Sequence, residues 1–467
     1  MSVKEKFSCH NGRIGHISGA TQGSRRNKTL RNGKRAPAST AARLFPSGKN
    51  SDCKKQTASA TISQRLGKPL DLPDKPSEND PAMKFKPAFL NFAFVSLLFV
   101  SAQVAGHERN LQVRHPILIP DVLGYHLLKC DFHIHTVFSD GQVWPDVRVE
   151  EAWREGLDVI AITDHVEYQP HAADVPTKHG RSTEIARELG TRLSLPVISG
   201  LEVTREMPPG HLNAIFLTDP PALEQENWRD ALAEAVRQGA FIFWNHPGWT
   251  GQQPDGVARW YPEHDEILQK GWLHGIEVAN DRDYYPEAHR WCLEKGLTML
   301  SNSDIHAPID QAFRPREGDY RPLTLVLARD RTPEAVHEAL REHRTVVLAA
   351  GRLIGEERFV IPIFQTSVSI LYPDITVPRR GGTFIQIENR SDIPYELQVS
   401  CTDPDLAVSP TLRLEPRAVS RLSIRRRNRE IEGERPLRLK ITATNVLVAP
   451  EQPLETTVEL RVSLPQE

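Results

Sequence analysis

Histidines and carboxylates recur at short intervals through one stretch of the chain. Asp131-Phe132-His133-Ile134-His135-Thr136 is followed by Ser139-Asp140-Gly141, and Thr163-Asp164-His165 comes next. Gly200-Leu201-Glu202-Val203, Gly210-His211, Trp244-Asn245-His246-Pro247 and Ser303-Asp304-Ile305-His306 complete the set. Neutral imidazoles and carboxylates are ligands for divalent ions. On a strand, side chains alternate with period two, so an H-x-H pair turns both rings to one face. His133 and His135 can therefore share an ion. A lone histidine at a strand end is usually a satisfied polar residue. Here a His, Asp or Glu closes almost every repeating unit, and such groups are costly to bury unpaired. The joint pattern predicts a metal cluster.

The elements that carry these residues alternate. Short apolar runs at 129–135, 158–163, 196–203, 212–217, 241–244, 275–279, 297–301 and 323–327 read as strands. Most lack polar alternation, as parallel strands covered on both faces do. Helices are expected at 147–155, 182–193, 228–238, 286–295 and 333–343, with Ser182 and Thr332 as N-caps. Gly156, Gly190, Gly239 and Gly296 sit where helices should stop. Repeated strand-helix units build a barrel or a doubly wound sheet, and spacing alone leaves both open. Either way the ligands fall at the strand ends where α/β proteins place their sites. From about Glu357 the pattern becomes short runs between Pro, Gly, Asn and Asp turns, with no helix signal, which predicts a small antiparallel β-sandwich.

The net charge of -2 hides a division. Residues 1–82 hold 16 Lys/Arg against 6 Asp/Glu, leaving 42 against 54 for the rest. An acidic remainder argues against a nucleic-acid groove, but bound cations can reverse the field for a small anion. Residues 1–82 are rich in polar and basic residues and read as a disordered leader, or as translation upstream of the true start. Met83-Lys84-Phe85-Lys86, the apolar run 89–100 and the small residues Val100-Ser101-Ala102 then have the layout of a secretory signal over 83–105. The expected location is outside the cytoplasm, periplasmic or extracellular. Five cysteines form no CxxC pair, so disulfides are not required and a Cys-type zinc site is not expected.

The motifs H-x-H-T-x-x-S-D-G, T-D-H, the strand-borne Glu202, N-H-P and S-D-x-H, in this order over roughly 127–350, resemble the polymerase-and-histidinol-phosphatase (PHP) family. The resemblance implies a distorted (β/α)7 barrel over 106–356, followed here by an immunoglobulin-like sandwich at 357–467. It also implies up to three Mn, Zn or Fe ions. By position, His133, His135 and Asp304 would bind the first ion. Glu202 would bridge it to a second, held also by His211 and His246, and Asp140, His165 and His306 would bind the third. The family often has His at the position of Asp140. The runs Asp140–Pro145 and His165–His171, with the sandwich, resemble exported members that cleave organophosphate diesters.

The implied chemistry is hydrolysis of a small phosphate ester by a metal-bridging hydroxide in a trinuclear site. Asp304 would orient the hydroxide or take its proton, with Glu202 and His246 beside it. Arg205 would pair with a phosphoryl oxygen or be an ordinary solvated charge. Glu277 is expected behind the ligands rather than among them. Trp144, Tyr168 and His171 either line a pocket or simply pack, and Arg425-Arg426-Arg427 reads as a solvated turn. The competing readings are a histidinol-phosphatase-like monoesterase, a 3′-nuclease, and a metal-binding surface module without catalysis. The nine filled ligand positions favour an enzyme.

Overall fold

The computed structural model describes residues 113–175, 178–314 and 319–466. The expected leader and export signal lie outside the described residues. The barrel uses β1 (His126–Asp131), β2 (Val159–Ile162), β3 (Val197–Val203), β4 (Leu212–Ile215), β5 (Phe241–Trp244), β6 (Gly275–Asn280), the short β7 (Asp283–Tyr284) and β8 (Thr298–Asn302). β9 (Leu323–Ala328), β10 (Thr345–Ala349) and β11 (Arg352–Ile354) extend its sheet.

Nearly every residue of β1 to β6 and β8 is buried, which accounts for the unbroken apolar runs. The expectation of parallel strands holds for β1–β2–β3 and for β5–β6–β8. It fails at β4, which runs antiparallel to both neighbours, and at β9, antiparallel to β1. The link from β3 to β4 is short and has no helix, so it can only turn back. The seven strands β1–β6 and β8 close at the mouth. There Ile134 and Ile305 form a parallel bridge, Asp304 N donates to His133 O (2.9 Å), and His135 N donates to Ile305 O (3.2 Å). The architecture is a distorted (β/α)7 barrel.

Helices at Pro145–Arg154, Arg181–Leu193, Trp228–Arg237, Pro286–Lys295 and Pro333–Arg341 lie close to expectation. Thr332 caps the last of these, accepting from Ala335 N (3.2 Å). Ser182 is not a cap: the helix begins one residue earlier, after Gly180, and Ser182 is buried in its first turn. Gly190 does not end that helix but lies inside it, where a Cβ would meet Leu195 O at 2.6 Å. Among the described residues, two longer helices escape the sequence reading, as do the single turns Pro220–Leu223 and Ile309–Ala312. Pro262–Gln269 is short and begins on a proline, with His264 Nδ1 accepting from Tyr261 N. Glu357–Ser367 contains Pro362, which would ordinarily break a helix, yet it buries Phe359, Val360, Ile363 and Phe364.

The sandwich follows that helix. One sheet is β12 (Val368–Ile370), β14 (Thr383–Asn389), β18 (Ala418–Arg426) and β16 (Leu406–Val408). The other holds β13 (Asp374–Thr376), β15 (Tyr395–Cys401), β17 (Thr411–Leu414), β19 (Gly433–Ala449) and β20 (Gln452–Leu464). Its strands alternate buried and exposed residues, as sheets with one wet face do. Arg426 corrects the reading of a solvated basic turn. It is buried in β18 and donates to the carbonyls of Val377, Ile431 and Pro465. The sandwich joins the barrel sheet directly. β11 pairs in parallel with β19 through Leu353–Val446 and Ile354–Leu447, and Asn445 donates to Gly351 O. The described cysteines, Cys130, Cys292 and Cys401, are free thiols.

Candidate metal centre

All nine expected ligands converge at the barrel mouth. Their donor atoms form four overlapping groups, each with its atoms within 4.8 Å of one another. These are His135–Asp140–His165–His306, His133–His246–Asp304, His133–His135–Glu202 and Glu202–His211–His246. Glu202 is the hub and is fully buried. Its Oε2 lies 3.3 Å from both His133 Nε2 and His135 Nε2 and 3.0 Å from His165 Nδ1. Its Oε1 is 2.8 Å from His211 Nδ1 and 3.7 Å from His246 Nε2. Asp304 Oδ1 stands 3.2 Å from His133 Nε2 and 3.0 Å from His135 Nε2. Asp140 Oδ1 is reached by His306 (3.1 Å) and His165 (3.4 Å). His135 falls in the Asp140 group as well as beside Glu202, a sharing that spacing did not indicate.

The backbone delivers these groups in ways the sequence hides. β1 ends at Asp131, so the H-x-H pair lies past the ladder and is fixed by the Ile134–Ile305 bridge. His246 (φ 24°) and Asp304 (φ 53°) both occupy the left-handed region, uncommon for residues with a Cβ and tolerated best by Asp, Asn and His. Strain of this kind clusters at functional sites.

A hydrogen-bonded polar frame holds the ligands from behind. Glu277 touches His133 Nδ1 (3.0 Å) and accepts from His246 N, Asn280 and Asn302, so it orients two ligands. Asn245 donates to Glu202 Oε1 (2.9 Å). The remaining motif letters serve one another: Asp164 accepts from Thr136 N, Thr136 Oγ1 and Ser139 Oγ. Sequence reasoning missed the roles of Asp131, Arg148 and Arg321. Arg148 is buried and donates to the carbonyls of His135, Ile305, His306 and Ala307, tying two ligand loops together. Asp131 accepts from Ser303 N and Oγ and from Arg321, which also binds Glu155. The available signal was an arginine on the buried face of the helix at 145–154.

Arg205 behaves differently from expectation. Its guanidinium is ion-paired with Glu167 and donates to the carbonyls of Thr204, Gln225 and Glu226. Those bonds commit it to tying its own loop to the segments at Glu167 and Gln225–Glu226. Trp144 is exposed rather than a core tryptophan, and Tyr168 and His171 are exposed too.

The charges suit cations. Burial opposes a proton on His133, but Asp304, Glu277 and Glu202 outweigh it and raise its pKa well above the usual value. Burial likewise opposes a proton on His165, yet Glu202 and Asp140 push its pKa up to about 10. Glu202 is held well below the carboxylate range against its burial, by His165, His133 and His211. A field that attracts protons to imidazoles also attracts a divalent ion. His135 Nε2 and Asp140 Oδ1 are buried without a hydrogen-bond partner. The groups near them are close but off the hydrogen-bond axis, as ligands aimed at a shared point would be. The donor set of imidazole and carboxylate, without thiolate, fits Mn, Fe or Zn.

The comparisons agree with this geometry. A crystal structure from Bacteroides vulgatus is described as a two-domain protein containing a predicted PHP-like metal-dependent phosphoesterase. It is 43% identical, with a TM-score of 0.70, and the match covers 75% of this chain and 99% of that one. The chain belongs to the PHP-like metal-dependent phosphoesterases. An uncharacterized protein of Methanocaldococcus jannaschii is 28% identical over 212 residues, which are 41% of this chain and 88% of the relative. A family model described as an Ig-like domain matches residues 368–459. PHP-like barrel and Ig-like sandwich thus account for the described chain.

Proposed function

We propose that this PHP-like centre hydrolyses phosphate diesters of small molecules, with up to three divalent ions bound. The observation that carries the reading is the buried Glu202 carboxylate with five imidazoles within 3.7 Å of its oxygens. His135, Asp140, His165 and His306 would hold one ion, while the groups sharing Glu202, His133, His246 and Asp304 would hold the others. Divalent ions there supply Lewis acidity toward a phosphoryl oxygen and a water acidic enough to react near neutral pH.

The chain's own residues supply position. Glu202 is wholly sequestered, whereas the Asp304 side chain keeps 20% of its surface exposed. Asp140 is about as open, at 23%, but Asp304 also stands beside His133, His135 and His246, so it is the carboxylate that would orient the attacking water or take its proton. His246, held in place through its backbone by Glu277, stands 3.8 Å from Asp304 Oδ2. Arg205 and Arg148 are both committed to protein partners. The second negative charge of a monoester thus finds neither guanidinium, and a singly charged diester suits the mouth better. The likeness of Asp140–Pro145 and His165–His171 to the organophosphate diesterases points the same way.

Manganese-loaded protein should turn over bis(p-nitrophenyl) phosphate at least about tenfold faster than p-nitrophenyl phosphate. The reverse order would overturn the diester reading, and no turnover of either would overturn the phosphoesterase itself. We also read 83–105 as an export signal, so the centre would work outside the cytoplasm. N-terminal sequencing of protein from the native cell tests this, since retention of Met83 in the mature protein contradicts it.

A further inference from the structure

Three aromatic side chains in the barrel are strongly exposed, and all three stand at its mouth. Trp144 is 45% exposed, Tyr168 53% and Trp249 44%, while every other Trp, Tyr and Phe described in the barrel is more covered. Each follows a ligand in the same loop: Trp144 after Asp140, Tyr168 after His165, Trp249 after His246. Single exposed apolar residues are ordinary. A group of them around a reactive centre is what a binding site presents.

The rings are arranged as well as exposed. Tyr168 stands edge-on to His165, with centroids 6.0 Å apart. Trp249 stands 5.7 Å from His211 and 5.4 Å from His246. His165 and His211 are themselves 6.0 Å apart, so two ligand imidazoles link Tyr168 to Trp249 in one run of rings. The indole is also held in place. A Cβ at Gly251 would meet the Trp249 ring at 2.4 Å, so only a glycine lets the ring lie on that backbone. Trp144 leans on buried Phe138 (5.6 Å) in the loop that carries Asp140. A flat apolar group would find fixed aromatic faces beside the ligands, where aromatic pairing adds to simple burial.

We propose that Tyr168 and Trp249, with Trp144 as the outer wall, select phosphate diesters whose non-leaving arm is a planar aromatic group. This rests on the phosphoesterase reading and adds which esters the centre prefers.

The test keeps the chemistry constant and changes only the arm. p-Nitrophenyl phenyl phosphate and p-nitrophenyl methyl phosphate release the same leaving group. Wild-type protein should favour the phenyl ester in kcat/KM by about tenfold. Trp249→Ala and Tyr168→Ala should each bring the ratio toward one, and Trp249→Phe should keep most of it. Calorimetry on the manganese-loaded protein supplies a second readout, with phenylphosphonate binding tighter than methylphosphonate and the difference shrinking in the same variants. Equal handling of both arms by the wild type, or a preference untouched by either alanine variant, overturns the proposal. If phenylphosphonate is preferred but no ester is cleaved, the aromatic rim stands and the hydrolytic reading fails. If both esters are cleaved equally well, hydrolysis stands and the rim fails.

Discussion

Two sets of histidines share this barrel and differ in company. At the mouth, His133, His165, His246 and His306 are surrounded by carboxylates that raise their pKa against burial. In the barrel wall, His264 and His289 are fully buried, without a carboxylate in hydrogen-bond contact. His264 donates to Pro209 O, accepts from Tyr261 N and stacks on Trp244 at 3.8 Å. His289 meets the Tyr284 hydroxyl at 3.0 Å. Burial pushes both down to about 4. Burial by itself therefore says nothing about whether a histidine is a ligand. Its neighbours decide.

That contrast can be broken most forcefully at the hub. Glu202→Ala should remove bound metal and lower turnover by about a thousandfold or more, whereas His264→Asn should leave metal content, read by elemental analysis, at the wild-type level. Metal-replete, active Glu202→Ala protein would end the distinction.

A smaller effect is expected one layer out. Glu277→Gln keeps the shape but weakens the hold on His133 and His246, and chelator competition should show metal affinity lower by about 10- to 100-fold. An unchanged affinity would place Glu277 among ordinary buried acids.

The wall histidines should announce themselves in acid. Their folded pKa lies below the unfolded value near 6.5, so as pH falls the unfolded chain takes up protons first. Stability from this source is level above about pH 7 and declines between roughly 6.5 and 4, by up to about 1.4 kcal/mol per pH unit for each residue. Urea midpoints across that range should fall less steeply in His289→Gln. An equally steep fall would mean that His289 does not stay neutral.

Arg205 gives the mildest outcome. With its bonds spent on Glu167 and loop carbonyls, Arg205→Ala should change kcat/KM by less than about threefold and stability by about 1 kcal/mol or less. A much larger kinetic loss in a folded variant would return it to the phosphoryl group.

Much of the centre was legible because ligand chemistry leaves a local trace. His133, Glu202 or Asp304 can be found from residue type and position at a strand end, and the apolar runs marked the strands themselves. Direction was not legible, since the β4 sequence is apolar whichever way it runs. The left-handed turns at His246 and Asp304 carry no glycine to mark them. The frame behind the ligands was hidden for another reason: Asp131 meets Arg321 only across 190 positions of sequence, and no local pattern records such a pairing. Arg426 and the helix at 357–367 were misjudged because charge and proline usually mean surface and interruption, and here tertiary burial overrides both.

The β11–β19 pairing has a consequence for how such chains can be built. Ile354 and Leu447 are bonded neighbours in one continuous sheet, so the C-terminal module finishes an edge that the barrel would otherwise leave bare. Gene fusion or domain shuffling could not exchange that module for an unrelated one unless the newcomer brought a strand of its own to fill the gap.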